Sequence, residues 1–160
     1  MDTKDIVITR MFDAPVSRVW QVWTTPEELM KWWGPKDFTA PVIEIDFKVG
    51  GQYLYCMHGA PGPGMPAQDF WSGGSFLEIV PMQKIVATDH FTDKDGNKIS
   101  PNAVGMPGNW PDEMKVTFTF EEVEGKTKLT VIHEGHPQEM EENATMGWNQ
   151  SLDKLADSLK

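Results

Sequence analysis

The stretch "HEGH", residues 133–136, sets two imidazoles three residues apart with a carboxylate, Glu134, between them. Histidine is a common metal ligand, so this group raises zinc chemistry first. The zinc-peptidase arrangement needs histidines at i and i+4 on one helix face. Here the step is three, and Gly135 and Pro137 read as a strand end. On a regular strand, residues three apart face opposite sides. Neither a functional metal site nor a cofactor is expected. His58 and His90 each fall in a strand and are candidate polar anchors; solvent-facing or internally satisfied histidines are the competing reading. Asp89 and His90 are strand neighbours that diverge, so they form a carboxylate–imidazole pair only if a turn intervenes. Ser72, Ser75 and Cys56 lie in no G-x-S-x-G nucleophile motif. The glycines of "SGGS" (72–75) open no helix and so make no phosphate loop; they serve better to bend a strand. No catalytic residue is assigned.

Two aromatic steps demand an explanation. Trp32 and Trp33 are adjacent, about 100° apart on a helix, so one face cannot bury both. Gly34-Pro35 ends the helix directly after them. Either both rings lid the sheet edge, or Trp32 enters the core while Trp33 turns to a cavity mouth. Gly147 precedes Trp148 inside a helical pattern, where glycine costs about 1 kcal/mol relative to alanine. A close approach of helix to sheet, or room left in a pocket ceiling, would each account for it.

The elements that must position these groups follow from periodicity. Residues 5–13 read as a strand. Pro15 and the spacing of Val16, Val19, Trp20 and Trp23 give a short helix. Thr25, Pro26, Glu27 and Glu28 start a second, running to Trp33. From Phe38 the period becomes two: two strands turn at Gly50-Gly51, with Tyr53, Tyr55 and Met57 on one face and Leu54, Cys56 and His58 on the other. Two more strands cover "FWSGGSFLEIVP" and "KIVATDHF", and a hairpin turns at Glu124-Gly125. The Gly- and Pro-rich loops 59–69 and 92–112 are expected to flank a pocket. A long helix, roughly 138–159, carries Met140, Ala144, Gly147, Trp148, Ser151, Leu152, Leu155 and Leu159 on one stripe. Without βαβ alternation the sheet should be antiparallel and curved, an α+β arrangement. A curved sheet cannot touch a straight helix everywhere, and the gap is a cavity.

Composition narrows the functions. The 160 residues suit one domain, 1–160. A net charge of −10 argues against nucleic acid as a partner. No window supports membrane insertion, and the N-terminus lacks a signal-peptide pattern. The single cysteine excludes an intrachain disulfide and agrees with a cytoplasmic location. Seven Trp, eight Phe and ten Met suit an aromatic core or a cavity for an irregular apolar ligand.

Several stretches carry a family resemblance: "ITRMFDAPVSRVWQVWTTPEELMKWWGP", "GGQYLY", "GGSFLEIVPMQKIV", "VTFTFEEVEGKTKLTVIHEG" and "MGWNQSLDKLADSL". In this order the chain resembles stand-alone bacterial members of the activator of heat shock protein 90 ATPase family, within the START-like (SRPBCC) superfamily. The resemblance implies the helix-grip fold: a curved antiparallel sheet of about six or seven strands around a long C-terminal helix, with two short helices after the first strand. It implies a small hydrophobic molecule as ligand, bound between sheet and helix. A co-chaperone-like partnership with a heat shock protein 90-type chaperone and a cofactor-free cyclase or hydrolase are the alternatives, a non-enzymatic role being favoured. A homodimer is left open. The expected cavity residues are Trp33, Phe38, Tyr53, Tyr55, Met57, His58 and Trp71, with His90, Phe118, Met140, Ala144, Gly147 and Trp148.

Overall fold

The structure, a computed structural model, describes residues 3–106 and 108–160. Strand β1 (Thr3–Phe12) leads into helices α1 (Val16–Thr24) and α2 (Pro26–Leu29). Strands β2 (Thr39–Ile45), β3 (Gln52–Gly59), β4 (Gln68–Val80), β5 (Lys84–Thr92), β6 (Met114–Val123) and β7 (Lys126–Pro137) follow, then helix α3 (Glu141–Ser158). The seven strands form one antiparallel sheet in the order β1-β7-β6-β5-β4-β3-β2. This is the helix-grip arrangement. The first strand in sequence caps one edge through its pairing with the last.

Alternation decides what faces the helices. Ile6, Ile8 and Phe12 of β1 and Leu129 and Val131 of β7 are buried, together with Leu152 and Leu155 of α3. Each such burial is worth about 1.5–3 kcal/mol. Val19, Val22 and Trp23 on α1 are buried in the same core.

The second helix is shorter than its sequence pattern suggests. After Leu29 the chain tightens into turns in which the amides of Lys31 and Trp32 bond the carbonyls three residues back, Glu28 and Leu29. The cause is tertiary: Trp32 is fully buried, its ring 4.7 Å from Trp23 and its Nε1–H donating to the Val22 carbonyl at 2.9 Å. The last helix likewise begins at Glu141, behind a 3-10 turn over Gln138–Met140.

Curvature has a local source in β4. A Cβ on Gly74 would lie 2.0 Å from the Thr88 carbonyl oxygen, so only glycine lets the β5 backbone come this close. The β4–β5 register shifts between Phe76 and Glu78, and the Thr88 hydroxyl accepts the Ser75 amide at 2.8 Å.

Candidate functional site

The concave face of the sheet and α3 enclose a cavity of about 250 Å³. The inward stripe of α3 supplies its roof through Ala144, Gly147, Trp148 and Ser151, continuing the line from Met140. Strand β3 contributes Tyr53, Tyr55 and Met57, β6 contributes Phe118, and the chain after α2 contributes Trp33, Gly34 and Pro35. The rings interlock edge to face: Trp33 lies 4.9 Å from Tyr55 and 5.9 Å from Trp148, and Trp148 lies 5.8 Å from Phe118. The two adjacent tryptophans thus serve different neighbours, Trp32 the core and Trp33 the cavity wall. Exposed Asn143 and half-buried Pro35 and Met106 place the mouth between the start of α3, the Gly34-Pro35 turn and loop 93–113. The other loop, 60–67, contributes nothing to the lining.

Lys154 holds that mouth in shape. Its ammonium donates to the carbonyls of Gly34 at 3.1 Å, Pro35 at 3.3 Å and Phe38 at 2.9 Å, tying the segment after α2 to α3. Burial lowers its pKa.

One end of the cavity is polar. Ile85, Ala87 and Asp89 alternate inward along β5. The Asp89 carboxylate lies 2.8 Å (Oδ2) from His133 Nε2 and 3.2 Å (Oδ1) from the Tyr53 hydroxyl. Trp148 Nε1–H donates to His133 Nδ1 at 3.2 Å. Because an indole nitrogen only donates, His133 Nδ1 must accept, which leaves the proton on Nε2, facing Asp89. That approach is short but off the line of the N–H bond, so Nε2 makes no well-formed hydrogen bond. The single Tyr53 proton has two acceptors, the Thr88 carbonyl at 2.7 Å and Asp89, and satisfies one at a time. Burial pushes the Tyr53 phenol well up. Burial alone would raise the Asp89 pKa too, but His133 and the Tyr53 hydroxyl outweigh it and hold the carboxyl below its ordinary range.

His136 completes this end. Its ring meets His133 edge to face at 4.3 Å and Trp110 at 5.7 Å, it is buried, and Nδ1 has no hydrogen-bond partner among the described residues. Burial, then neighbouring His133, pushes its pKa down to about 4, so the ring is neutral at physiological pH. The pairing of the two histidines corrects the regular-strand expectation. On β1, Lys4 and Ile6 are two apart; their β7 partners His136 and His133 are three apart. The extra residue is a bulge at Glu134-Gly135, with Gly135 at φ +89°, and it brings both rings into one cavity. A glycine inside a strand pattern was the available signal. Among the described residues no group of three or more His, Cys, Asp or Glu is placed to hold a metal.

Of the expected cavity residues, Trp33, Tyr53, Tyr55, Met57, Phe118, Met140, Ala144, Gly147 and Trp148 line it, whereas four do not. His58 is exposed and bonds Asp69 at 2.7 Å, because it falls on the outward face of β3. His90 faces away from its neighbour Asp89, into a polar groove with Glu44, Asp46 and Asp95. Trp71 stands opposite Cys56 and Thr92, on the face that Ser72 does not share. Phe38 pairs with Phe70 and fills the notch over Gly59.

Comparison with known proteins agrees with this architecture. Residues 13–160 match the family described as Activator of Hsp90 ATPase homolog 1-like protein. A crystal structure of a Chromobacterium violaceum protein is 32% identical, with a TM-score of 0.75, covering 96% of this chain and 94% of the other. A solution structure from Arthrobacter aurescens is 28% identical, TM-score 0.73, with 97% and 85% covered. A crystal structure from Mycobacterium smegmatis is 25% identical, TM-score 0.73, with 99% and 93% covered. No curated protein matches. A helix-grip sheet closed over α3, matched to one family along nearly the whole chain, leaves no ambiguity of kinship: the chain belongs to the Activator of Hsp90 ATPase homolog 1-like family.

Proposed function

We propose that this protein binds a small, largely apolar molecule in the cavity between its sheet and α3. Membership of the family supports a ligand-binding or Hsp90-activator-like module in general terms. The observation that favours the first is the cavity itself: about 250 Å³ walled by tryptophan, tyrosine, phenylalanine and methionine, where a solid core would be filled to crystal-like density. Work in the cytoplasm is part of the proposal, consistent with a single, buried, unpaired cysteine. No helix among the described residues is long and apolar enough to cross a membrane.

The test compares wild type with Ala144→Phe against a panel of flat aromatic and fatty compounds. Ala144 lies on the cavity stripe, one turn from Met140 and from Trp148. A ligand at about 100 times its Kd stabilises the native state by about 2.7 kcal/mol, readily seen in thermal denaturation. The expected result is a set of wild-type shifts that vanish in a still-folded variant. If no compound moves the wild type and the variant unfolds by overpacking, the interior is solid and the proposal is wrong.

A second reading, a cofactor-free reaction in the same cavity, is favoured by one observation: a carboxylate and a neutral imidazole, Asp89 and His136, stand in the same wall. Conversion of a bound compound on prolonged incubation, lost in Asp89→Asn, would establish it; unchanged recovery of the compound would dismiss it.

A further inference from the structure

The charge inventory of the cavity is one-sided. Among the described residues Asp89 is the only formally charged one that lines it, and no lysine or arginine does. Lys154 lies nearby but does not line the cavity, and its ammonium is committed to the carbonyl oxygens of Gly34, Pro35 and Phe38. A carboxylate has about four lone-pair sites. Asp89 is offered a shared phenol proton from Tyr53 and an off-line N–H from His133. Among the described residues no lysine or arginine stands against its negative charge, and its partners are the His133 ring and the Tyr53 hydroxyl. The field of an anion is strong where water is scarce. His136 adds a buried nitrogen, Nδ1, with no partner among the described residues.

The aromatic lining has a polarity of its own. Ring faces are negative, and a cation is drawn to tryptophan and tyrosine faces within about 6 Å. Tyr53, which contacts Asp89, lies 4.7 Å from Tyr55, and Trp148 reaches Asp89 through His133. The anion and the aromatic cluster therefore form one continuous wall. An acidic ligand would meet repulsion there, a neutral one would draw nothing from the charge, and a cation engages both features. The net charge of −10 favours the approach of a cation as well.

We infer that the ligand is a lipophilic cation, an amine or quaternary ammonium on an aromatic or aliphatic body, with its charge on Asp89 and its body against Trp33, Tyr55 and Trp148. The inference rests on the cavity-binding reading above. An ammonium group donates to the Asp89 carboxylate and to the neutral imidazole of His136, while a quaternary head is held by charge and ring faces alone.

Three probes sharing one ring system test it at neutral pH by titration calorimetry: 1-naphthylmethylamine, 1-naphthalenemethanol and 1-naphthoate. The ammonium should bind at least about tenfold more tightly than the alcohol, with the carboxylate weakest. In Asp89→Asn, which keeps the shape and removes the charge, the amine-to-alcohol ratio should fall to about one. A folded Asp89→Asn protein with an unchanged ratio overturns the role of Asp89. Should that variant not fold, the wild-type series still decides. An alcohol bound as tightly as the amine overturns the cation inference and leaves cavity binding standing. No binding by any of the three overturns both.

Discussion

Gly147 offers a quantitative test of whether the roof of the cavity is open. A glycine within α3 forgoes about 0.8–1.0 kcal/mol of helix stability relative to alanine. One reason to keep it would be a helix pressed against the sheet. The structure shows otherwise: a Cβ built at 147 meets a single heavy atom within 4 Å, Pro35 Cγ at 3.6 Å, an ordinary contact. Nor does its backbone require glycine, since its φ is not positive. Gly147→Ala should therefore gain nearly the full propensity difference and stabilise the unliganded protein by about 0.5–1 kcal/mol. For a chain of this length that raises Tm by roughly 2–4 °C per kcal/mol. Gly147→Leu keeps the helix preference and sends a branched side chain toward Pro35, at the cavity mouth. It should fold and lose binding. The assays are chemical denaturation for stability and calorimetric titration for affinity. If Gly147→Ala were destabilising by a kcal/mol or more, the roof would lie closer to its neighbours than described, and the room attributed to the missing side chain would not exist.

Acid should weaken the fold in a defined window. With a folded pKa of about 4 against 6.5 ordinarily, His136 binds fewer protons folded than unfolded between those values, so stability falls as pH drops through that range, by up to about 3 kcal/mol. His136→Gln should flatten the denaturation-derived stability curve over that window; parallel curves for the two proteins would refute the assignment. Lys154→Met removes three charge-assisted bonds to the segment after α2 and should cost about 1–2 kcal/mol while accelerating ligand release. Urea denaturation and stopped-flow dissociation measure both, and unchanged stability would mean that Lys154 does not hold the mouth. Gly74→Ala places a methyl 2.0 Å from a backbone oxygen and should lower stability far more than Gly147→Ala raises it; a neutral outcome would show that β4 and β5 can separate there at little cost.

The alternation and helical stripes carried most of the fold. Tyr53, Tyr55 and Met57 repeat every second residue, and Met140, Ala144, Gly147 and Trp148 repeat with the helical turn, so their shared faces were readable without coordinates. The same rule places Asp89 beside Ile85 and Ala87 and its neighbour His90 on the opposite face. His58 was an overreach, since the alternation already set it opposite Tyr53 and Tyr55. What strict periodicity hides is its own interruption. Counting by twos separates His133 from His136, and only the left-handed Gly135 reunites them. Likewise, the local pattern carries α2 through Trp33, while burial of Trp32 against Trp23 unwinds it earlier.

The pairing of β1 with β7 has a consequence for how the chain reaches its native state. Thr3 stands opposite Pro137 and Phe12 opposite Thr127, so the first strand of the sheet in sequence finds its partner in the last. Until then β1 has no neighbour in the sheet, and its inward residues Ile6, Ile8 and Phe12 have no finished core to enter. Closing so long a loop is slow, and unpaired apolar strands invite association with other chains. The sheet is thus completed only once β7 is available, and an interruption before β7 would leave an adhesive fragment rather than a smaller working domain.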